Sequence, residues 1–333
     1  MIDVALIGAG RIGKIHGGNL ARQPGMRLRY VCDAVPEAGR GLADQLGASA
    51  CDLERCFGDP EVQAVVIASS TDTHADLILR AAAARKAFFC EKPVDLDLGR
   101  ARQCAAAVAR AGVPGLIGFQ RRHDPTFAAL KRRLDAGEIG DPEILIVTSR
   151  DPGPPPLDYV RRSGGIFKDM LIHDFDVCRW ILADEVVAVH AEATCLVDPA
   201  IAAAGDADTT AVSLRTRKGR LAQINTSRRA AYGYDQRFEV LGKGGMLAAG
   251  NHRPTQVTAH KAGAVSGDVP EPFFLERYRA AYAAEMVHFA EVLRGEARPR
   301  TDVEDGVKAL ELADAALRSW KEGRAVAPGE RDA

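Results

Sequence analysis

The sequence carries almost no net charge: 44 lysines and arginines stand against 45 aspartates and glutamates, for a formal charge of −1. That balance argues against a generally basic nucleic-acid surface. Cysteine pairing is also missing. The seven cysteines (Cys32, Cys51, Cys56, Cys90, Cys104, Cys178, Cys195) are odd in number and contain no Cys-x-x-Cys, so neither a disulfide framework nor a zinc knuckle is indicated. They fit a reducing compartment. No apolar run approaches the roughly 18 residues needed to span a bilayer. The N-terminus enters a strand-like run with an acid at Asp3 and lacks the basic stretch and apolar segment of a secretory signal. Internal repeats and extended low-complexity tracts are absent as well. The expectation is a cytoplasmic protein whose partner is a small molecule, with no nucleic acid and no membrane.

What is present is a globular composition, 47% hydrophobic over 333 residues, and at roughly 100–200 residues per domain this predicts two domains. The first, 1–120, alternates short apolar runs at 4–7, 28–32, 64–68, 87–90 and 116–118 with helical stretches at 12–22, 37–46, 73–85 and 98–111. This is the βαβ pattern of an α/β, doubly wound parallel sheet buried on both faces. The second, 121–333, begins with a helix at 125–136 and a β-branched run at 143–149. Next comes Asp151-Pro-Gly-Pro-Pro-Pro156, where four prolines in five residues forbid regular structure. One helix over 165–182 then precedes strand runs at 186–196, 209–216, 220–227 and 237–241. The short Arg217-Lys-Gly-Arg220 connection reads as a hairpin, so this half is α+β with an open, mainly antiparallel sheet and helices on one face. Closing helices at 275–294 and 303–322 are candidates to pack back on the first domain, and the end beyond Arg324 reads as frayed.

Gly8-Ala-Gly10-Arg-Ile-Gly13 stands at the end of the first strand and the start of the first helix. Glycines there permit the tight turn, the approach of backbone to a pyrophosphate, and packing of helix on strand. The helix N-terminus offers free N–H groups and a positive dipole end to phosphates. Asp33 follows twenty residues after Gly13 and ends the second strand, where a carboxylate accepts both adenosine ribose hydroxyls and repels a 2′-phosphate. NAD is therefore expected over NADP. Ser69-Ser-Thr-Asp-Thr-His74 lies past the carboxyl end of the sheet, where such folds bind ligands. Thr71 or Asp72 could also cap the next helix.

Cys90-Glu-Lys-Pro93 brings Lys92 to the same edge, with Pro93 biasing it toward an extended backbone. Asp169 and His173 are four apart, which on one helix puts them on one face. Oxidising a secondary alcohol needs a hydride acceptor, a base for the hydroxyl proton and a cation for the developing alkoxide. A histidine, a lysine and an orienting carboxylate meet that need. A surface hydrogen-bonded pair and a metal site are the other readings of Asp169 and His173. The metal reading lacks a third ligand, because Asp174 and Asp176 fall on other parts of the helix.

Taken together, the 8–13 glycine motif, Asp33, the polar run ending at His74, Glu91-Lys92-Pro93 and Asp169-x-x-x-His173 resemble the Gfo/Idh/MocA oxidoreductases over nearly the whole chain. The resemblance implies a Rossmann domain followed by an α+β domain whose open sheet face makes oligomer contacts, in a dimer or homotetramer. It implies catalytic roles for Lys92, Asp169 and His173. Cofactor contacts are expected from Gly8, Gly10, Arg11, Ile12, Gly13, Asp33, Ser69, Ser70, Thr71, His74, Glu91 and Lys92. Gly118-Phe-Gln-Arg-Arg-His-Asp124, the stretch from Gly164 through Val177, and Ala231-Tyr-Gly-Tyr-Asp235 are similar to the inositol 2-dehydrogenase branch. There an arginine and tyrosines help hold a cyclic polyol, which implies Arg122, Tyr232 and Tyr234 here; on a strand the two tyrosines would share a face. His123 departs from the tyrosine common in that branch, and the loop at 151–157 is a second departure. The implied activity is NAD-dependent oxidation of a ring hydroxyl of myo-inositol or a close cyclic polyol to the ketone. An aldose or scyllo-inositol dehydrogenase and a non-catalytic NAD-binding sensor stay open as alternatives.

Replacing Asp33 with alanine is expected to weaken NAD binding selectively. Fluorescence titration of NADH checks this, and an unchanged affinity would remove Asp33 from the cofactor.

Overall fold

In the computed structural model, which describes residues 1–330, Val4-Ala-Leu-Ile7 is buried along its length. An unbroken apolar run of this kind marks a strand covered on both faces. It belongs to β1 (Ile2–Ile7), which with β2 (Met26–Cys32), β3 (Ser49–Ala50), β4 (Val62–Ile67), β5 (Ala87–Glu91) and β6 (Gly115–Gly118) forms a parallel sheet in the order β3-β2-β1-β4-β5-β6. The helices between them are α1 (Arg11–Arg22), α2 (Pro36–Leu46), α3 (Leu53–Gly58), α4 (His74–Ala83) and α5 (Leu98–Ala111). Strand order reverses between β1 and β4, so the topological switch point lies beside Gly8 and Ala68, the residues that follow those strands. The doubly wound sheet expected from the sequence is thus present. β3 and α3 were not anticipated, since two and six residues are too few to show a period.

The second sheet takes β7 (Pro142–Arg150), β8 (Val186–Thr194), β9 (Thr209–Thr216), β10 (Leu221–Ser227), β11 (Asp235–Gly242) and β12 (Gly245–Ala249) in the order β12-β11-β7-β10-β9-β8. Only β7 and β10 run parallel. β9 alternates buried with exposed residues, as a strand covered on one face does. The helices of this half are α6 (Pro125–Asp135), α7 (Leu157–Arg162), α8 (Gly165–Asp169), α9 (Ile172–Leu182) and α10 (Pro199–Ala203). An exposed hairpin, β13 (Thr258–Lys261) with β14 (Ala264–Gly267), precedes α11 (Phe274–Arg277), α12 (Arg279–Leu293) and α13 (Val303–Glu322).

The chain divides into two compact units: residues 1–123 with 280–310, and residues 124–279 with 311–333. Within the first unit, Met286, Phe289 and Ala290 of α12 join Leu6, Leu20, Val66 and Phe89 in one buried core. Thr301 closes the same unit by donating its hydroxyl to Ile117 O at 2.6 Å and accepting the Ile117 N–H on its carbonyl at 2.9 Å.

Several expectations are corrected. The single helix over 165–182 is two, because Ile166 O accepts N–H groups from both Met170 and Leu171, at 3.1 and 3.0 Å, and the ladder breaks there. The helix over 275–294 is likewise broken, at Tyr278. Tyr232 and Tyr234 stand in the turn before β11 rather than on a strand, so the shared face does not apply. The segment after Arg324 is not frayed as far as it is described: Val326 exchanges both backbone hydrogen bonds with Val189 at 2.9 Å and is buried. Residues 331–333 lie outside the described residues.

Leu20 on α1 is wholly buried against the first sheet. Leu20→Ala is expected to cost about 2–5 kcal/mol of unfolding free energy, read from the shift in denaturant midpoint.

Candidate active site

The first unit builds a cradle from backbone. Gly8 follows β1 with φ +104°, and a Cβ there would sit 2.5 Å from Ala68 O. At Gly13 a Cβ would come within 2.0 Å of Gly8 O, so α1 packs directly on the turn. Gly10 is the residue before α1; its side-chain position opens on space, with nothing within 4 Å, and no side chain caps the helix. A helix start with no side-chain cap and room beside Gly10 is what a pyrophosphate requires. Arg11 is exposed, whereas Ile12 packs on the core. Asp33 Oδ2 accepts the Ala9 N–H at 2.6 Å and Oδ1 accepts the Val35 N–H at 2.8 Å. Both oxygens keep further lone pairs for ribose hydroxyls. The residues fit NAD.

The loop after β4 is held by its own hydroxyls. Ser69 Oγ lies 2.6 Å from Thr73 Oγ1, which donates to Ser70 O at 2.7 Å, and Thr71–Thr73 forms one 3₁₀ turn. No side-chain hydrogen bond caps α4, so the capping expected of Thr71 or Asp72 is not made. His74 is buried beneath the loop, its Nδ1 2.7 Å from Pro93 O and Nε2 3.2 Å from Ser69 O. Burial lowers its pKa and favours the neutral ring. With a single N–H, the neutral ring donates to one of these carbonyls, Pro93 O being the nearer, and packs its other nitrogen against Ser69 O, between the 69–74 loop and the segment after Lys92, whose peptide bond to Pro93 is cis.

Lys92 follows β5, at the carboxyl edge of the sheet. The preceding Glu91 turns inward, where its Oε1 accepts from His16 Nε2 at 2.7 Å. His16 is fully buried between the rings of Phe89 and Tyr282, with centroids at 4.8 and 5.7 Å. Tyr282 and Phe289 lie three residues before and four after Glu285 on α12, and Phe289 meets Phe89 at 6.1 Å. That helix face carries Glu285 toward His16 and Glu91. Neither Glu285 oxygen has a hydrogen-bond partner among the described residues, and burial, with the charge of Glu91, raises its pKa well above 4.5. His16 and Glu285 were missed in the sequence. Each occupies a helical core position where its type is the only signal.

In the 3₁₀ turn Gln120–His123 that follows β6, Arg122 turns away from solvent and donates to Arg300 O at 2.7 Å, with Asp305 3.1 Å from its other terminal nitrogen. His123 is buried against His288, ring centroids 5.2 Å apart, and desolvation pushes its pKa down to about 3.

In the second unit, Asp169 ends α8 and His173 stands in the first turn of α9. The break between the helices means that the two are not presented by one regular helix face. α8 is anchored at its start, where the Ile166 N–H donates to both oxygens of Asp206 at 3.0 and 3.1 Å. Asp169 Oδ1 accepts the Tyr159 hydroxyl at 2.9 Å, and Oδ2 lies 3.8 Å from Arg228 Nη2. Arg228 is 1% exposed and stands 3.9 Å from Asp206 as well, so one buried cation serves two carboxylates. Tyr159 and Arg228 were also missed. Tyr159 follows the proline-rich loop, and nothing in Ser227-Arg228-Arg229 tells which arginine is buried. Tyr232, 42% exposed, donates its hydroxyl to Asp235 Oδ2 at 2.6 Å and accepts from Arg150 at 3.0 Å. Tyr234 is buried edge-on to Tyr278 at 5.8 Å. Among the described residues no cluster of three His, Cys, Asp or Glu side chains could hold a metal ion.

Residues 2–119 match the model of an oxidoreductase family with an NAD-binding Rossmann fold, and residues 127–248 match the GFO/IDH/MocA C-terminal domain. The chain belongs to the GFO/IDH/MocA oxidoreductase family. Among members of the family, it is 45% identical to the inositol 2-dehydrogenase of Rhizobium meliloti (strain 1021) over 98% of both chains. It is 43% identical to the myo-inositol 2-dehydrogenase of Thermotoga maritima over 97% of both. The solved myo-inositol dehydrogenase of Corynebacterium glutamicum superposes with a TM-score of 0.95 at 43% identity, covering 99% of this chain and 100% of that one. NAD is the cofactor of this family's Rossmann domain.

Burial of Glu285 yields a pH signature. The folded protein keeps a proton that the unfolded chain releases above about pH 4.5, so stability drains as pH rises past that value. Glu285→Gln should therefore unfold at higher denaturant than wild type at neutral pH, with the gap closing toward pH 4.5. A gap independent of pH would mean that Glu285 is ionised in the fold.

Proposed function

We propose that this protein oxidises a ring hydroxyl of myo-inositol to the ketone with NAD, and that scyllo-inositol and aldoses are poorer substrates. The observation that carries this reading is full-length similarity, at 43–45% identity, to proteins named as inositol dehydrogenases. The glycine cradle, Lys92 at the sheet edge and the braced Asp169 beside His173 supply the parts that such chemistry needs. Bound NAD supplies the hydride acceptor. Gly8, Gly10 and Gly13, with Arg11 and Ile12 at the helix start, receive the pyrophosphate, and Asp33 receives the adenosine ribose. Its charge also selects NAD over NADP.

His173 takes the hydroxyl proton as the carbon–hydrogen bond breaks, and the ammonium of Lys92 stabilises the oxygen as it gains charge. Asp169, oriented by Tyr159 and Arg228, fixes the imidazole and the substrate. Ser69, Ser70 and Thr71 face the cofactor from their loop, while His74 and Glu91 act from beneath by holding that loop and the end of β5. Tyr232 offers a hydroxyl to the polyol, and the inward-turned Arg122 and Tyr234 support its surroundings.

We also propose a homotetramer in the cytoplasm. Met246, Leu241, Ile144 and Leu221 are consecutive cross-strand partners over β12, β11, β7 and β10, and so share one sheet face. Three of them, Met246, Leu241 and Leu221, are 42–52% exposed. An exposed apolar row across four strands is the composition of a subunit interface. All seven cysteines are free thiols, which supports a reducing compartment, and no helix among the described residues is long and apolar enough to cross a membrane.

NADH production from myo-inositol, scyllo-inositol, glucose and galactose should give the highest kcat/KM for myo-inositol. A higher value for an aldose would overturn the substrate, and NADH binding without turnover on any of them would indicate a sensor. Lys92→Ala and His173→Ala should each lower kcat by about 10²–10⁴ with NADH still bound.

A further inference from the structure

Cys56 contacts two other thiols, Cys51 and Cys32, and Cys32 directly precedes Asp33. Cys32 ends β2, Cys51 follows β3 and Cys56 lies on α3. Pairing of Val31 with Ala50 carries the register on to Cys51, whose N–H donates to Val31 O at 3.0 Å. Asp52 then caps α3 by accepting the Arg55 N–H at 2.8 Å, and the Cys56 N–H donates to Asp52 O at 3.2 Å. This turn brings Cys56 Sγ to 3.3 Å from Cys51 Sγ. Cys56 and Cys32 are buried, while Cys51 is partly exposed. The two thiols are therefore unequal. The hydrogen bond from Cys56, with the charge of Arg55, holds Cys51 below the usual thiol range, whereas Cys56 is pushed up. An accessible, more acidic thiol with a second thiol behind it is the arrangement of an attacking and a resolving cysteine.

We propose that Cys51 and Cys56 form a redox modification site, oxidised to a disulfide by a hydroperoxide and restored by a dithiol reductant. The Cys51 thiolate attacks the peroxide: an S–O bond forms, the O–O bond breaks, and the departing hydroxide takes up the thiol's proton as water. Cys56 then attacks the sulfenic sulfur; the S–S bond forms, the S–O bond breaks, and the second oxygen leaves as water with the proton of Cys56. Two thiols lose two electrons to one peroxide. Closure shortens the sulfur separation from 3.3 Å to roughly 2.0 Å. The two-residue β3 and the six-residue α3 are short elements at the sheet edge, able to absorb that movement. Because Asp33 directly follows Cys32 at this edge, oxidation raises KM for NAD several-fold and leaves kcat in place. That consequence rests on Asp33 holding the adenosine ribose.

The test treats the full-length enzyme with equimolar hydrogen peroxide, alkylates the remaining thiols, digests with trypsin, and measures NAD kinetics on the same sample. Trypsin separates peptide 41–55, which holds Cys51, from 56–80, which holds Cys56. The expected result is one linked species, two hydrogens lighter than the sum of its parts, lost on reduction and never formed by Cys51→Ser. The KM for NAD should rise in the wild type and stay constant in that variant. Cys51 recovered as sulfinic acid without a link would overturn the proposal. So would a link from 56–80 to 30–40, the peptide of Cys32. A linked species with unchanged KM would uphold the modification site and overturn its effect on NAD binding, while the Asp33→Ala titration decides separately whether Asp33 holds the cofactor.

Discussion

The approach of three backbone segments at the end of β1 is the constraint on which the rest of the first unit depends. Gly8 lies so near Ala68, and Gly13 so near Gly8, that a methyl group at either glycine would overlap a carbonyl oxygen. Only without side chains can β1, α1 and the loop after β4 converge. Their convergence brings the uncapped start of α1 to the carboxyl edge of the sheet, where we propose the phosphates bind. Asp33 is drawn into the same turn through the N–H groups of Ala9 and Val35. One steric condition thus fixes the positions of both the turn proposed to receive the pyrophosphate and the acid proposed for the ribose.

Within each unit the protein uses buried polar groups as struts. His74 joins two loops at the sheet edge, and His16 holds Glu91 beneath Lys92. In the second unit Arg228 stands near both Asp206, which anchors the start of α8, and Asp169, which ends it. Burying such groups is costly unless they find partners. The gain is orientation: side chains at the candidate site are held by others that have little freedom to move.

Much of this was legible in the sequence because local pattern and tertiary role coincide. The apolar strands of the first half, the glycine motif with Asp33, and α5 and α13 were read with little or no error at their ends. Lys92, Asp169 and His173 were singled out because their residue types, in motif, imply chemistry, and their catalytic roles remain the proposal made above. The break at Met170 and Leu171 was not legible, since both residues suit a helix and the interruption arises from how Ile166 O is shared. Tyr234 and Arg122 were expected to help hold a polyol; that both are buried was not legible, because burial is decided by segments far away in sequence, Tyr278 for one and Asp305 for the other. The partners of Asp169 were hidden for the same reason.

The first unit is not contiguous in the chain. Its central core needs Met286 and Phe289 on α12, and its last strand is bonded to Thr301. During synthesis the parallel sheet therefore emerges from the ribosome long before the residues that cover it. The nascent protein must wait for nearly its entire length before the cofactor domain can close its hydrophobic interior, although most of that domain's residues are the first to be made.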